Sequence, residues 1–290
     1  MRKLNVLSLF DGISAGQMAL KKAEIEVDKY FASEIDKHAI KVTDKNFPNT
    51  VQLGDITNWS EWDIDWKSID LVMGGSPCQG FSFAGKQLNF EDPRSKLFFV
   101  FLDICNHIAD KNPKMIFLLE NVKMKKEYQN VISEKLGIEP IEINSALVSA
   151  QNRKRLYWTN IPMDPLPDDK EIYIEDILET NFDSKYWLPE KNAGLLSKKV
   201  DITGAPNICC IDVYNKRYKK DRKSPTLTHP CHNSLRLLQD GKFRKLTPIE
   251  CERLQTFPDN YTEGVSDTQR YKALGNSWTV DVIVHIFKKL

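Results

Sequence analysis

The chain has 290 residues, 41% hydrophobic and 28% charged, with a formal net charge of +1. That length suits one large domain, or one large and one small, and no apolar stretch approaches the roughly 18 residues of a membrane span. Six cysteines, at 78, 105, 209, 210, 231 and 251, include no C-x-x-C pair, which excludes a disulfide scaffold and fits a reducing cytosol.

Met1-Arg2-Lys3 runs straight into Leu4-Asn5-Val6-Leu7-Ser8-Leu9-Phe10, which reads as a strand. No secretory leader is expected, and the protein is assigned to the cytoplasm. A helix follows from Gly16 to Glu24, a strand over Tyr30–Glu34 and a helix from Lys37 to Asn46. Val51–Leu53, Ile69–Met73 and Met115–Leu119 read as three more strands, with a helix over Leu97–Ala109. This βαβ alternation predicts an α/β fold with a mainly parallel sheet and helices on both faces. Ligands of such sheets sit beyond the carboxyl ends of the strands.

After Ile161 the pattern changes. Pro162, Pro165 and Pro167 with Asp164, Asp168 and Asp169 form a linker-like stretch, and periodicity stays poor up to Lys245. Residues 185–245 hold 14 basic and 5 acidic residues, a net of +9, against −8 elsewhere. A basic segment on an acidic body suits a polyanion, although a solvated lysine-rich loop has the same composition. Thr247, Pro248 and Glu250 then form an N-cap, first-turn proline and capping box for a late helix. Ser277–Leu290 reads as an amphipathic helix.

Chemistry concentrates at the strand ends. Gly74-Gly75-Ser76-Pro77-Cys78-Gln79-Gly80-Phe81-Ser82 presents a thiol on a tight, glycine-flanked loop just past an apolar run. Such a thiol suits covalent catalysis. Phe10-Asp11-Gly12-Ile13-Ser14-Ala15-Gly16 opens a helix, where glycines let a ligand approach the backbone; a plain tight turn would read the same. Glu34 and Asp55, ending the second and third strands, add carboxylates to that rim, Glu34 where a ribose diol would be held. Glu120 ends the fifth strand as a partly buried acid able to protonate or hydrogen-bond a base, or as a rim salt bridge. In Gln151-Asn152-Arg153-Lys154-Arg155, an extended backbone would point Arg153 and Arg155 the same way, to hold an anion or carbonyl or to form surface ion pairs. Cys209, His229, Cys231 and His232 match no standard zinc spacing, so no metal is expected.

In this order the motifs resemble the DNA (cytosine-5)-methyltransferase family over nearly the whole chain. Phe10-Asp11-Gly12, Glu34, Asp55, Pro77-Cys78-Gln79, Glu120-Asn121-Val122, Gln151/Arg153/Arg155, Arg244 to Pro258 and Gly275-Asn276-Ser277 carry the likeness. Ser8–Ile13, with Asp11 and Ser14, Leu97-Phe98-Phe99 and Trp278 are locally similar to the animal de novo enzymes. A branch acting on transfer RNA usually carries Cys-Phe-Thr, whereas Cys231 here precedes His232-Asn233.

The resemblance implies a Rossmann-like methyltransferase sheet over 1–164, a small, mainly irregular or β target-recognition domain over 165–243, and a return to the catalytic domain over 244–290. It implies S-adenosylmethionine as methyl donor, held by Phe10, Asp11, Gly12, Ile13, Glu34, Ile35, Asp55, Ile56, Pro77, Asn276, Ser277 and Trp278. It implies catalysis by Cys78, Glu120, Arg153 and Arg155. The partner it implies is double-stranded DNA, with no membrane. Gln79, Ser82, Arg94, Lys216, Arg217, Lys219, Lys220, Arg222, Thr226 and Arg236 are its candidate contacts, and affinity would depend on salt.

Overall fold

The computed structural model describes residues 3–76, 93–228 and 235–290, the side chains of 93–95 excepted. The chain forms two compact units. The first comprises Met1–Ile143, Lys154–Leu166 and Ile283–Leu290, the second Asn144–Arg153 and Pro167–Val282. The sequence reading breaks after 164 and 243. The units instead break after Leu166 and draw residues 144–153 and 244–282 in with the small sheet. The reason lies in buried polar bonding: the Gln151 amide donates to Leu254 O at 3.1 Å, and Ser149 Oγ donates to the same carbonyl at 2.6 Å.

The first unit is built on a seven-stranded sheet. Its strands are β1 (Leu4–Leu9), β2 (Val27–Ser33), β3 (Val51–Gln52), β4 (Leu71–Gly74), β5 (Ile116–Val122), β6 (Ile141–Asn144) and β7 (Lys154–Thr159). They lie in the order β3-β2-β1-β4-β5-β7-β6. Pairing is parallel from β3 through β5, while β7 runs antiparallel to β5. Chain order reverses between β1 and β4, which makes their carboxyl ends the switch point where such sheets bind ligands. Helices α1 (Ala15–Lys22), α2 (Lys37–Asn46), α3 (Pro93–Ala109) and α4 (Lys126–Leu136) complete the βαβ frame. α2 matches the expected bounds, and Asp36 caps it by accepting from His38 N at 2.9 Å.

The core of this unit joins Phe98, Phe101, Ile104 and Ile108 of α3 to Leu7, Leu9, Val72 and Leu119 of three strands. Gly74 lets α3 approach: a Cβ there would stand 2.9 Å from Leu9 O and 3.2 Å from the Phe101 ring. β5 runs on to Val122, so the polar triplet Glu120-Asn121-Val122 is itself strand.

The second unit carries a four-stranded antiparallel sheet, β11-β10-β8-β9, from β8 (Ile208–Asp212), β9 (Arg217–Tyr218), β10 (Leu235–Gln239) and β11 (Lys242–Arg244). Helix α5 (Glu190–Ser197) packs Leu196 against Cys209, Ile211, Leu238 and Phe243. Helices α6 (Pro248–Leu254), α7 (Asp267–Asn276) and α8 (Val280–Ile286) follow in the chain. The expected capping box of α6 is formed: Thr247 Oγ1 accepts from Glu250 N at 3.1 Å, and Glu250 Oε2 accepts from Thr247 N at 2.8 Å. Arg244 forms a bidentate pair with Glu250 at 2.6 and 2.8 Å, both side chains fully buried. The fork geometry of guanidinium on carboxylate supplies the hydrogen bonds a buried pair requires.

Candidate active site

The β1–α1 loop begins with Phe10, and the backbone is left-handed at Phe10, Gly12 and Ser14, with φ of 57°, 59° and 55°. Such φ values disfavour side chains other than glycine and mark functional turns. Among the described residues other than its two chain neighbours, no atom lies within 4 Å of where a Cβ of Gly12 would stand. Glu34, one residue past β2, ties the loop down: its Oε2 accepts from Gly12 N, and its Oε1 from Ile35 N and Asp36 N, each at 2.8 Å. Beside it Ile35 is 73% exposed, an apolar face on a polar rim. Asp55 is exposed, and Thr57 donates to its Oδ1 through N and Oγ1 at 2.8 Å, holding its carboxyl below the usual range. Ile56 is buried in the main core.

Asp11 points the other way. Its carboxyl is buried and accepts from Tyr30 OH at 2.7 Å and from Ser14 Oγ. It supports the loop from beneath. Burial pushes its pKa up to about 6, against lowering hydrogen bonds from Ser14, Ser8 and Tyr30. The folded state therefore binds a proton that the unfolded state releases between pH 3.8 and about 6. Stability from the neutral Asp11 is full below pH 3.8 and lost as pH rises through 6. The shift corresponds to about 3 kcal/mol. Urea unfolding from pH 4 to 7 should show wild type losing stability relative to Asp11→Asn across this window, with a constant difference above it. A flat difference throughout would remove the assignment.

β4 ends at Gly74, whose register partners are Leu9 of β1 and Leu119 of β5. The segment leaving β4 toward residue 77 therefore starts between the β1 loop and Glu120. Ser76 and Asn121 are buried, and Asn121 Nδ2 donates to Ser76 Oγ at 3.1 Å. This bond fastens the last described residue before Pro77 to the strand carrying Glu120. The motif reasoning gives Asn121 no role of its own; the signal was an amide inside a buried strand end, which must find a partner. Pro77, Cys78, Gln79 and Ser82 lie outside the described residues, as does the side chain of Arg94.

Glu120 pairs across the sheet with Tyr157, and Val122 with Arg155. Glu120 and Arg155 are thus diagonal neighbours on one face, a spacing long side chains bridge. Arg155 Nε lies 3.0 Å from Glu120 Oε1, and Glu120 is 8% exposed. The structure brings these two expected residues together as a nearly dry ion pair.

Arg153 separates from Arg155, contrary to the shared direction expected from alternation. The strand begins at Lys154, and Arg153 belongs to the second unit. It is 3% exposed and donates to Leu227 O at 2.9 Å, Ser277 O at 2.8 Å and Gly275 O at 3.3 Å. Gln151, fully buried, accepts from Leu227 N at 2.8 Å. Asn276 is exposed at the end of α7, while Ser277 and Trp278 are buried.

The basic candidates also divide. Lys216 and Lys220 are exposed, Arg217 lies in β9, and Lys219 pairs with Asp221 at 3.1 Å. Arg222 is held by Glu175 at 3.1 Å and lies 4.2 Å over the Tyr173 ring, and Thr226 Oγ1 donates to Asn152 O at 2.6 Å. Arg236 of β10 lines a groove of about 910 Å³ with Lys185, Lys199 and Lys245. Among the described residues no three His, Cys, Asp or Glu side chains gather as a metal set, and no helix is long and apolar enough to cross a membrane. His229, Cys231 and His232 lie outside the described residues.

Comparison with known proteins gives a family and a fold. The model of the C-5 cytosine-specific DNA methylase family matches residues 4–186 and 179–290. The chain is 34% identical over 312 residues to the type II methyltransferase M1.ScrFI of Lactococcus lactis subsp. cremoris, covering 99% of this chain and 78% of the relative. It is 32% identical to the type II methyltransferase M.NlaX of Neisseria lactamica, covering 98% and 95%. The solved structure of the Entamoeba histolytica methyltransferase EhMeth superposes with a TM-score of 0.71 at 22% identity, covering 100% of this chain and 98% of that one, a likeness of fold. Matched along nearly its whole length, the chain belongs to the C-5 cytosine-specific DNA methylase family and is a DNA (cytosine-5)-methyltransferase.

Proposed function

We propose that this enzyme methylates C5 of a cytosine swung out of double-stranded DNA, using Cys78 as nucleophile and S-adenosylmethionine as donor. The observation that carries this reading is the Glu120–Arg155 pair, 3.0 Å apart at the sheet rim from which the Pro77-Cys78 segment departs. Cytosine C5 is a poor nucleophile until C6 is attacked. Addition of the Cys78 thiolate at C6 pushes the ring electrons toward N3, where the Glu120 carboxyl donates a proton that N3 returns when the ring is restored. Arg155 keeps the Glu120 carboxylate aimed and offers N–H groups to the base carbonyl. S-adenosylmethionine, when bound, supplies the electrophilic methyl group. Loss of the C5 proton to a base then expels the thiolate.

The rim chemistry fits that donor. The open space at Gly12 admits a ligand to the backbone, the Glu34 and Asp55 carboxylates suit hydroxyl and amino groups, and exposed Ile35 suits a flat heterocycle. Asp11 acts by holding the loop. Arg153 acts by holding Leu227, Gly275 and Ser277 carbonyls, and the small-sheet unit serves as the recognition domain. Lys216, Arg217 and Lys220 are proposed phosphate contacts.

Tritiated methyl transfer to unmethylated duplex DNA and to transfer RNA, followed by bisulfite sequencing, tests this reading. The expected result is label on duplex DNA, at C5, within one sequence context. Label on transfer RNA alone would overturn it.

A further inference from the structure

We infer that Tyr214, with Lys216 and Arg217, forms a rigid DNA-contacting finger on the β8–β9 hairpin. The inference rests on the duplex-DNA reading above and adds to it a residue that charge and motif had passed over. Tyr214 is 85% exposed, the most exposed large apolar side chain among the described residues. An isolated exposed aromatic needs no explanation by itself; its setting supplies one.

The turn that carries it is fixed. Asp212 spends both carboxylate oxygens on Asn215, accepting from its N at 3.0 Å and its Nδ2 at 2.7 Å. Val213 and Tyr218 pack against the small core on either side, so the hairpin base is anchored while Tyr214 projects. Lys216 completes the turn with φ of 55°, a conformation that favours glycine or asparagine over lysine. The turn therefore spends conformational energy to present a cation. Lys216 and Arg217 make no ion pair among the described residues. The tip thus offers unspent positive charge beside one amphipathic ring.

Duplex DNA is the partner with matching chemistry. Its phosphates take the cations, and its groove offers sugar and base-edge surface to a ring with a hydroxyl tip. Tyrosine makes such contacts at low entropic cost, because two χ angles fix it and the turn is already ordered. Phosphate contacts set salt dependence, whereas a ring in a groove does not.

The test measures binding and turnover on one labelled, unmethylated duplex containing the target, with wild type, Tyr214→Ala, Tyr214→Phe and Lys216→Ala. Tyr214→Ala should weaken Kd and raise KM by about tenfold, the scale of an aromatic hot spot, with kcat at saturating DNA and the salt slope unchanged. Tyr214→Phe should stay within about threefold of wild type, and Lys216→Ala should lower the salt slope by about one. Thermal melts should coincide, since the exposed side chain supports no packing. Kd and KM of Tyr214→Ala within about twofold of an active wild type would overturn this inference alone. A wild type that neither binds nor methylates duplex DNA would overturn the reading beneath it.

Discussion

Cys78→Ser should lower methyl transfer by about 10³-fold or more, the scale on which a covalent catalyst loses rate with its nucleophile. The reason is chemical. A thiol yields a usable fraction of thiolate near neutral pH and attacks C6 as a soft nucleophile, whereas a hydroxyl must first be deprotonated by a base. Binding of S-adenosylmethionine should persist, because Gly12, Glu34, Ile35 and Asp55, proposed to hold it, lie in the loops that follow β1, β2 and β3. Duplex DNA with 5-fluorocytosine at the target separates loss of chemistry from loss of fold. Fluorine at C5 cannot leave as a proton does, so the C6–sulfur bond formed by wild type cannot break after methyl transfer. Wild type should form a complex that survives denaturing electrophoresis, and Cys78→Ser should form none. A persistent adduct in the variant would move the nucleophile elsewhere. An active wild type without any adduct would end the covalent route.

Local signals carried far in this sequence, and long-range ones did not. The α6 capping box was legible because Thr247, Pro248 and Glu250 act within one turn. The bounds expected for α2, Lys37–Asn46, are also those observed. Glu34, Asp55 and Glu120 stood out as carboxylates after apolar runs; in the structure Glu34 lies just past β2, Asp55 three residues past β3 and Glu120 within β5. Which partner each meets was not legible. The Glu120–Arg155 pair depends on β7 inserting antiparallel beside β5, a register no periodicity encodes. Asp11 looked like a ligand group because its loop looked like a ligand loop. Its inward turn is set by Tyr30, which lies on the neighbouring strand and supplies a buried hydroxyl.

Arg153→Ala should cost about 3–5 kcal/mol of stability, as several buried carbonyls lose a charged donor together, and lower the melting temperature by roughly 10 °C in a chain of this size. The guanidinium is nearly inaccessible and satisfies three carbonyls from distant segments: Leu227, Gly275 and Ser277. Alanine would remove a donor from each, with Ser277 O keeping Gln255 Nε2, at a cost of about 1–3 kcal/mol for each oxygen that finds no replacement. Lysine should recover little of this, since one ammonium on a flexible stem cannot span three acceptors in a fork. Gln255 reinforces the same node, donating through Nε2 to Leu274 O at 2.7 Å and to Ser277 O at 3.2 Å. Arg155→Ala offers the contrast. It breaks the pair with Glu120 at the rim and leaves that carboxylate nearly buried and unpaired, so it should lose turnover as well as some stability. A melt of Arg153→Ala superimposable on wild type, with activity still lost, would reverse the assignment and return Arg153 to the chemistry. Loss of both together, with Arg155→Ala losing turnover beyond what its fall in stability explains, is the outcome this geometry requires.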